Sequence, residues 1–157
     1  MRFVHEGCAV ELLRHITGNR DIHFSFGLAV TSPDDNQIIP DIVTAMEALK
    51  PGASFRVVKI PQGEGSRPKV VLDLLYGESD QKNGLVSSRL MRRRQVEDLL
   101  IIDHAERLNY FGLTLFRRDL GQGPAVLISR GPETVTTLSA SPILGSRTLL
   151  LKNIYQN

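Results

Sequence analysis

Four apolar residues, Leu99 to Ile102, run without a break into Asp103 and His104. A short apolar run of this kind suits a strand buried on both faces. The carboxyl end of such a strand is where open α/β sheets hold their ligands. An acid at that edge can organise a divalent cation, and a second acid beside it can orient or deprotonate an attacking water. Here the second position is His104, a side chain that accepts a proton near neutral pH. Glu106 follows on the next helical turn, where a solvated carboxylate is the plainer expectation. Asp103 has a plainer role open to it as well, as N-cap of a helix beginning near Ala105, favourable by about 1 kcal/mol.

Chemistry on phosphates also needs a cradle on a neighbouring loop: Gly-x-x-x-x-Gly-Lys-Ser/Thr, with backbone N–H groups around the phosphates, lysine neutralising charge and the hydroxyl holding magnesium. Laid on Gly27, the pattern puts Ser32 at the second glycine, Pro33 at the lysine and Asp34 at the hydroxyl. Pro33 supplies neither charge nor N–H, and Asp34 and Asp35 repel phosphate. The loop reads as degenerate, or as an ordinary strand-to-helix turn.

Other chemistry-bearing residues are scattered. Arg89, Arg92, Arg93 and Arg94 fall at one side and the end of an expected helix, with Arg117 and Arg118 on another. Clustered arginines bind nucleic-acid phosphates in a salt-dependent way, but they also offset a helix dipole or simply solvate a face. His5 and Cys8 are one helical turn apart with no further ligands beside them, so core packing of Cys8 is expected rather than a metal site.

Strands and helices must place these groups. Helical spacing covers Val4–Ile16, and a first strand covers Ile22–Val30. Residues 31–36 have loop composition, and a helix starts near Pro40 with Ile39, Ile42, Met46 and Leu49 as its buried stripe, ending at Lys50-Pro51-Gly52. Ser54–Pro61 is a second strand, rich in β-branched residues. A Gly-rich loop over Gln62–Arg67 leads to a helix opened by Pro68, and another helix covers Leu85–Val96. Leu99–Asp103 is the third strand, Ala105–Leu120 a helix, Ala125–Ile128 the fourth strand, Glu133–Leu138 a short helix and Thr148–Ile154 the fifth strand. Ser32–Asn36 and Gln62–Arg67 are the expected mobile loops. Helices alternating with apolar strands imply a parallel sheet covered on both faces.

The chain of 157 residues, 41% hydrophobic and 23% charged, suits one globular domain. No apolar run approaches the ~18 residues of a membrane span, and the amino-terminal residues lack the apolar core of a signal peptide. A lone cysteine excludes an internal disulfide and fits a reducing compartment. A cytoplasmic protein is expected. The net charge of +2 is too small to imply nucleic-acid binding by itself.

The run Leu-Leu-Ile-Ile-Asp-His-Ala-Glu-Arg-Leu-Asn-Tyr from Leu99, with Leu-Thr-Leu-Phe-Arg-Arg from Leu113, resembles the second nucleotide motif and adjoining helix of AAA+ ATPases. The nearest branch is the transposition regulators, ATPases that load on DNA, capture a target and recruit a transposase. Those proteins usually read Asp-Glu-Ala where this chain reads Asp-His-Ala. Residues Ala125 to Gly131 resemble their fourth strand, with Ser129 as the polar sensor, and Pro142 to Arg147 resemble the segment that carries their arginine finger, here Arg147. The resemblance implies a three-layer α/β sandwich of P-loop NTPase type over residues 1–157, with a central parallel five-stranded sheet and no helical lid. The departures at Pro33, Asp34 and His104 imply a pseudo-ATPase with no nucleotide cofactor. Its expected work is binding a protein partner, itself or DNA, in transposition or another mobile-element process. Two alternatives stay open. One is a divergent ATPase with ATP and magnesium, using Asp103 and His104. The other is a receiver-like domain in which Asp34 and Asp35 bind magnesium, Asp103 is phosphorylated, and Ser129 and Lys152 assist.

Overall fold

The computed structural model describes residues 2–3, 13, 26–63, 98–109, 113, 124–134 and 148–152. The expected helices over 68–75, 85–96 and 135–138, most of those over 4–16 and 105–120, and the start of the first strand at 22–25 lie outside the described residues. So do Arg89, Arg92, Arg93, Arg94 and Arg147.

The frame is a parallel sheet. In chain order its strands are β1 (Arg2–Phe3), β2 (Phe26–Val30), β3 (Phe55–Lys59), β4 (Leu99–Asp103), β5 (Ala125–Ser129) and β6 (Thr148–Lys152), and in space they run β1-β6-β2-β5-β4-β3. Every recorded pairing is parallel, with Gly27 beside Val126, Ile101 beside Val126 and Val57 beside Ile101. The two-residue edge strand β1 is an addition to the five strands expected from the sequence. Leu99 to Ile102 and Ala125 to Ile128 are fully buried, as continuous apolar strands inside a doubly covered sheet must be.

Among the described residues, helix α1 (Ile38–Leu49) packs on one face. Its Ile42, Ala45 and Met46 form a cluster with Ala29, Leu99, Ile101, Val126, Ile128 and Leu13. Leu28, Leu100, Ile102 and Leu127, on the opposite face, are equally inaccessible. The helix starts two residues before Pro40, which sits in the first turn, where its missing N–H breaks no helical bond. At its far end Lys50 N donates to Met46 O at 2.8 Å, and Gly52 takes the left-handed φ of 75° that turns the chain toward β3. β3 is the sheet's edge, and this explains why the apolar Val57 is 50% exposed there.

Three readings of the sequence can be compared with the fold. The helix expected from Ala105 is replaced at its start by a 3-10 turn over Ala105–Arg107, after which Leu108 is extended. The turn is entered through His104, whose backbone sits in the left-handed region at φ 58°, ψ 42°. Second, the Gly27 alignment stays degenerate: Gly27 lies inside β2, hydrogen-bonded on both sides, and the residues between Val30 and Ile38 make an ordinary strand-to-helix turn. Third, a receiver-like domain requires the strand order 2-1-3-4-5. Here the strand of Phe26–Val30 and the next long strand, β3, are separated by β5 and β4.

That order sets the crevice. The chain leaves β2 toward the β3 edge, and it leaves β5 toward β6 on the other side of β2. Ligands of open α/β sheets bind where such departures diverge, outside the carboxyl ends of the strands. The residues at that edge are Thr31 to Asp35, Asp103 to Glu106, and Ser129 to Thr134.

Candidate functional site

Three strands, β2, β4 and β5, bring polar groups to the crevice. β4 ends in Asp103, 8% exposed, and β5 ends in Ser129 followed by Arg130. The β2 strand runs into Thr31, whose N–H donates to Ser129 O at 2.9 Å, so the start of the loop after β2 is tied to the end of β5.

Arg130 is the centre of the arrangement. Its Nε donates to Asp103 Oδ1 at 2.8 Å and its Nη2 to Asp103 Oδ2 at 3.3 Å, a fork-on-fork pair with both side chains about nine-tenths buried. Its Nη1 points the other way and donates to the carbonyl of Asp35 at 2.7 Å, with the carbonyls of Pro33 and Ser32 at 3.4 and 3.5 Å. Its backbone N–H donates to Glu106 Oε2 at 2.9 Å. Glu106 Oε1 in turn lies 2.8 Å from His104 Nδ1. A carboxylate oxygen accepts, so Nδ1 is the donor in this contact. One arginine thus joins the loop after β2, the end of β4, the turn that follows it and the end of β5.

The loop is closed a second time by Asp35. Its Oδ1 accepts from the N–H groups of Gln37 and Ile38 at 2.9 and 3.1 Å, and its Oδ2 accepts the Thr31 hydroxyl. The amides that open α1 therefore point at a carboxylate of the same chain. Residues 32–36, expected to be mobile, are held from both sides.

The protonation states follow from these contacts. Burial by itself would push the Asp103 carboxyl up; the Arg130 guanidinium and the His104 N–H, at 2.8 Å, outweigh it and hold the group below the ordinary carboxylate value. The Thr31 hydroxyl leads in lowering Asp35, with the Gln37 and Ile38 amides and Arg130 adding to it against burial. Arg130 is held above its already high ordinary value, chiefly by its hydrogen bonds to Asp103. At neutral pH the site is an ionised carboxylate–guanidinium–loop network.

The sequence-predicted residues divide clearly. Asp103 is at the expected edge of the sheet, but it does not cap a helix: its carboxylate accepts from the very next N–H and from Arg130. His104 is beside it, turned by its left-handed backbone toward Glu106, which is partly buried and engaged rather than solvated. Ser129 is fully buried, its Oγ donating to Gly131 O at 2.6 Å and lying 2.9 Å from Thr134 Oγ1, so the sensor-like hydroxyl holds its own turn. Asp34 is exposed, and Lys152 ends β6 in register with Ala29. Arg130 is the residue that sequence reasoning missed. Its signal was only a position, the first residue past a buried strand, and its partners are distant in sequence.

These residues do not fit a magnesium–nucleotide complex. A divalent cation at Asp103 would meet the guanidinium already paired there. A phosphate at the start of α1 would meet the Asp35 carboxylate that already accepts its amides. The carbonyl oxygens that the loop directs at Arg130 suit a cation, whereas a phosphate cradle presents N–H groups. Among the described residues no group of three or more His, Cys, Asp or Glu side chains could hold a metal ion, and no helix is long and apolar enough to cross a membrane. No protein-family model matches the sequence, and comparison with curated proteins finds no match.

Proposed function

We propose that this chain is a non-catalytic α/β domain of AAA+ type, a pseudo-ATPase retained as a protein-interaction module, with transposition or another mobile-element process as its setting. The family part of the proposal rests on the sequence around Asp103, Ser129 and Arg147 and is consistent with a parallel sheet whose polar residues gather at the carboxyl edge. The non-catalytic part rests on one observation: the fork of Arg130 on Asp103. The acid that would organise a metal is neutralised by a side chain of the same fold. A divergent ATPase would have to break that buried pair and displace Asp35 before a nucleotide could enter.

Thermal-shift titration with ATP and Mg²⁺ tests the reading directly. The expected result is an unchanged Tm at all nucleotide concentrations. Saturable stabilisation that disappears in Asp103→Ala would overturn it and establish the divergent ATPase. Association with DNA is a separate outcome: a mobility shift that weakens with salt and with alanine at Arg92, Arg93 and Arg94 would replace the protein partner with nucleic acid.

A further inference from the structure

We infer that Arg130 is a resident cation, and that it locks the loop of residues 31–37 in one conformation by filling an oxygen cage suited to a divalent ion. The inference deepens the non-catalytic reading by naming what holds the site, and it rests on that reading. The cage consists of Asp103 Oδ1 and Oδ2 on one side and the carbonyl oxygens of Asp35, Pro33 and Ser32 on the other, all within 3.5 Å of a guanidinium nitrogen. These donors are all hard oxygens, one an ionised carboxylate, the set that calcium accepts with flexible geometry and that magnesium accepts only near an octahedron. The guanidinium supplies the positive charge that such a set requires.

The consequence is a loop ordered by folding rather than by ligand. Arg130 pulls the carbonyls of Ser32, Pro33 and Asp35 toward β4 and β5, and this orientation turns the Asp35 carboxylate onto the amides of Gln37 and Ile38. Removing the guanidinium leaves an ionised Asp103 facing three carbonyls, a site whose repulsion a small divalent cation relieves. Arg130 is on this account a positioning residue, and the loop's state should respond to cations only when it is gone.

The test uses the full chain as wild type, Arg130→Ala, Arg130→Lys and the Arg130→Ala/Asp103→Asn double variant, with calcium chloride or magnesium chloride as probes. Hydrogen exchange at the Gln37 and Ile38 amides reads the loop, and exchange in β4 and β5 reads the core. In Arg130→Ala the two loop amides should exchange at least about tenfold faster relative to the β4 and β5 amides, whose exchange follows global stability, since the added opening is local. Millimolar calcium should restore their protection and raise Tm saturably, magnesium less so; wild type and the double variant should not respond. Rescue by calcium is a readout that loss of packing alone would not produce. Unchanged loop exchange in Arg130→Ala, or a calcium response equal in the double variant, would overturn the inference. If Arg130→Ala does not fold, Arg130→Lys carries the test: a point charge without the planar fork should lose loop protection with the core intact, and wild-type exchange there would refute the lock. Binding of ATP and Mg²⁺ by the wild type would defeat the non-catalytic reading whatever the calcium result, whereas an indifferent Arg130→Ala defeats only the lock.

Discussion

Breaking the Arg130–Asp103 pair from either side strands a charge in a place with little access to water. Loss of one partner of a buried pair costs about 3–5 kcal/mol, much of it the penalty of leaving the other unpaired. Arg130→Ala and Asp103→Asn should therefore each destabilise the domain by about 3 kcal/mol or more in urea melts. The double variant should cost clearly less than the sum, with a coupling on the order of 1–3 kcal/mol. Strict additivity would show that the two side chains do not act as a unit. The same residues set an acid dependence. Asp103 and Asp35 titrate below their ordinary values in the fold, so the unfolded chain binds more protons as acidity increases. Their contribution is complete above the ordinary carboxylate range near pKa ~3.9 and is lost as pH falls through the lower folded values. Stability measured by urea melts should be level above pH ~5 and fall steeply below pH ~4, and Asp103→Asn should flatten that fall. An Asp103→Asn profile as steep as wild type would mean that its carboxylate carries no folded-state advantage.

At the scale of elements, the turn after β4 separates what the sequence revealed from what it concealed. The strand itself was legible, because four consecutive apolar residues leave few alternatives to a doubly covered strand, and every one of them is buried. The turn was not. Nothing in Asp103-His104-Ala105 forces a left-handed residue, and the expected cap at Asp103 would have been locally satisfactory. The φ of 58° at His104 goes with contacts beyond the turn: Glu106, which meets the His104 ring, also accepts the Arg130 N–H, and Asp103 faces Arg130. The loop after β2 shows the same limit. Its acids signalled a poor phosphate cradle, but only the fold reveals that Asp35 is itself the anion at the start of α1. The backbone at His104 can be checked directly. A left-handed residue with a side chain is strained by about 1 kcal/mol, and glycine adopts that conformation freely. His104→Gly should be close to neutral, relief of strain offsetting the lost Glu106 contact, whereas His104→Val should lose about 1–3 kcal/mol because a β-branched residue resists positive φ. Equal stability of the two variants would argue that the turn relaxes out of the left-handed region.

Across the whole molecule, the alternation of strands and helices gave the parallel sheet, but it could not give the order of the strands. Periodicity records which faces are buried and is silent about which strand lies beside which. The order matters most for the site, since it places β5 between β2 and β4 and so brings Arg130 within reach of both Asp103 and the loop after β2. It also decides which apolar residues the fold depends on. Ile101 and Val57 are neighbours in register on the same face of adjacent strands and look interchangeable in sequence. Ile101 belongs to the cluster under α1 and is fully buried, while Val57 lies on the edge strand and is half exposed. Ile101→Ala should therefore cost about 2–5 kcal/mol through lost burial and an unfilled cavity. Val57→Thr, which keeps the branched shape a strand prefers, should stay within about 0.5 kcal/mol. Denaturant melts of the two variants at matched pH measure the difference. A large loss at Val57 would place that residue against a further packed element, and a small one at Ile101 would contradict the central position of β4 in the sheet.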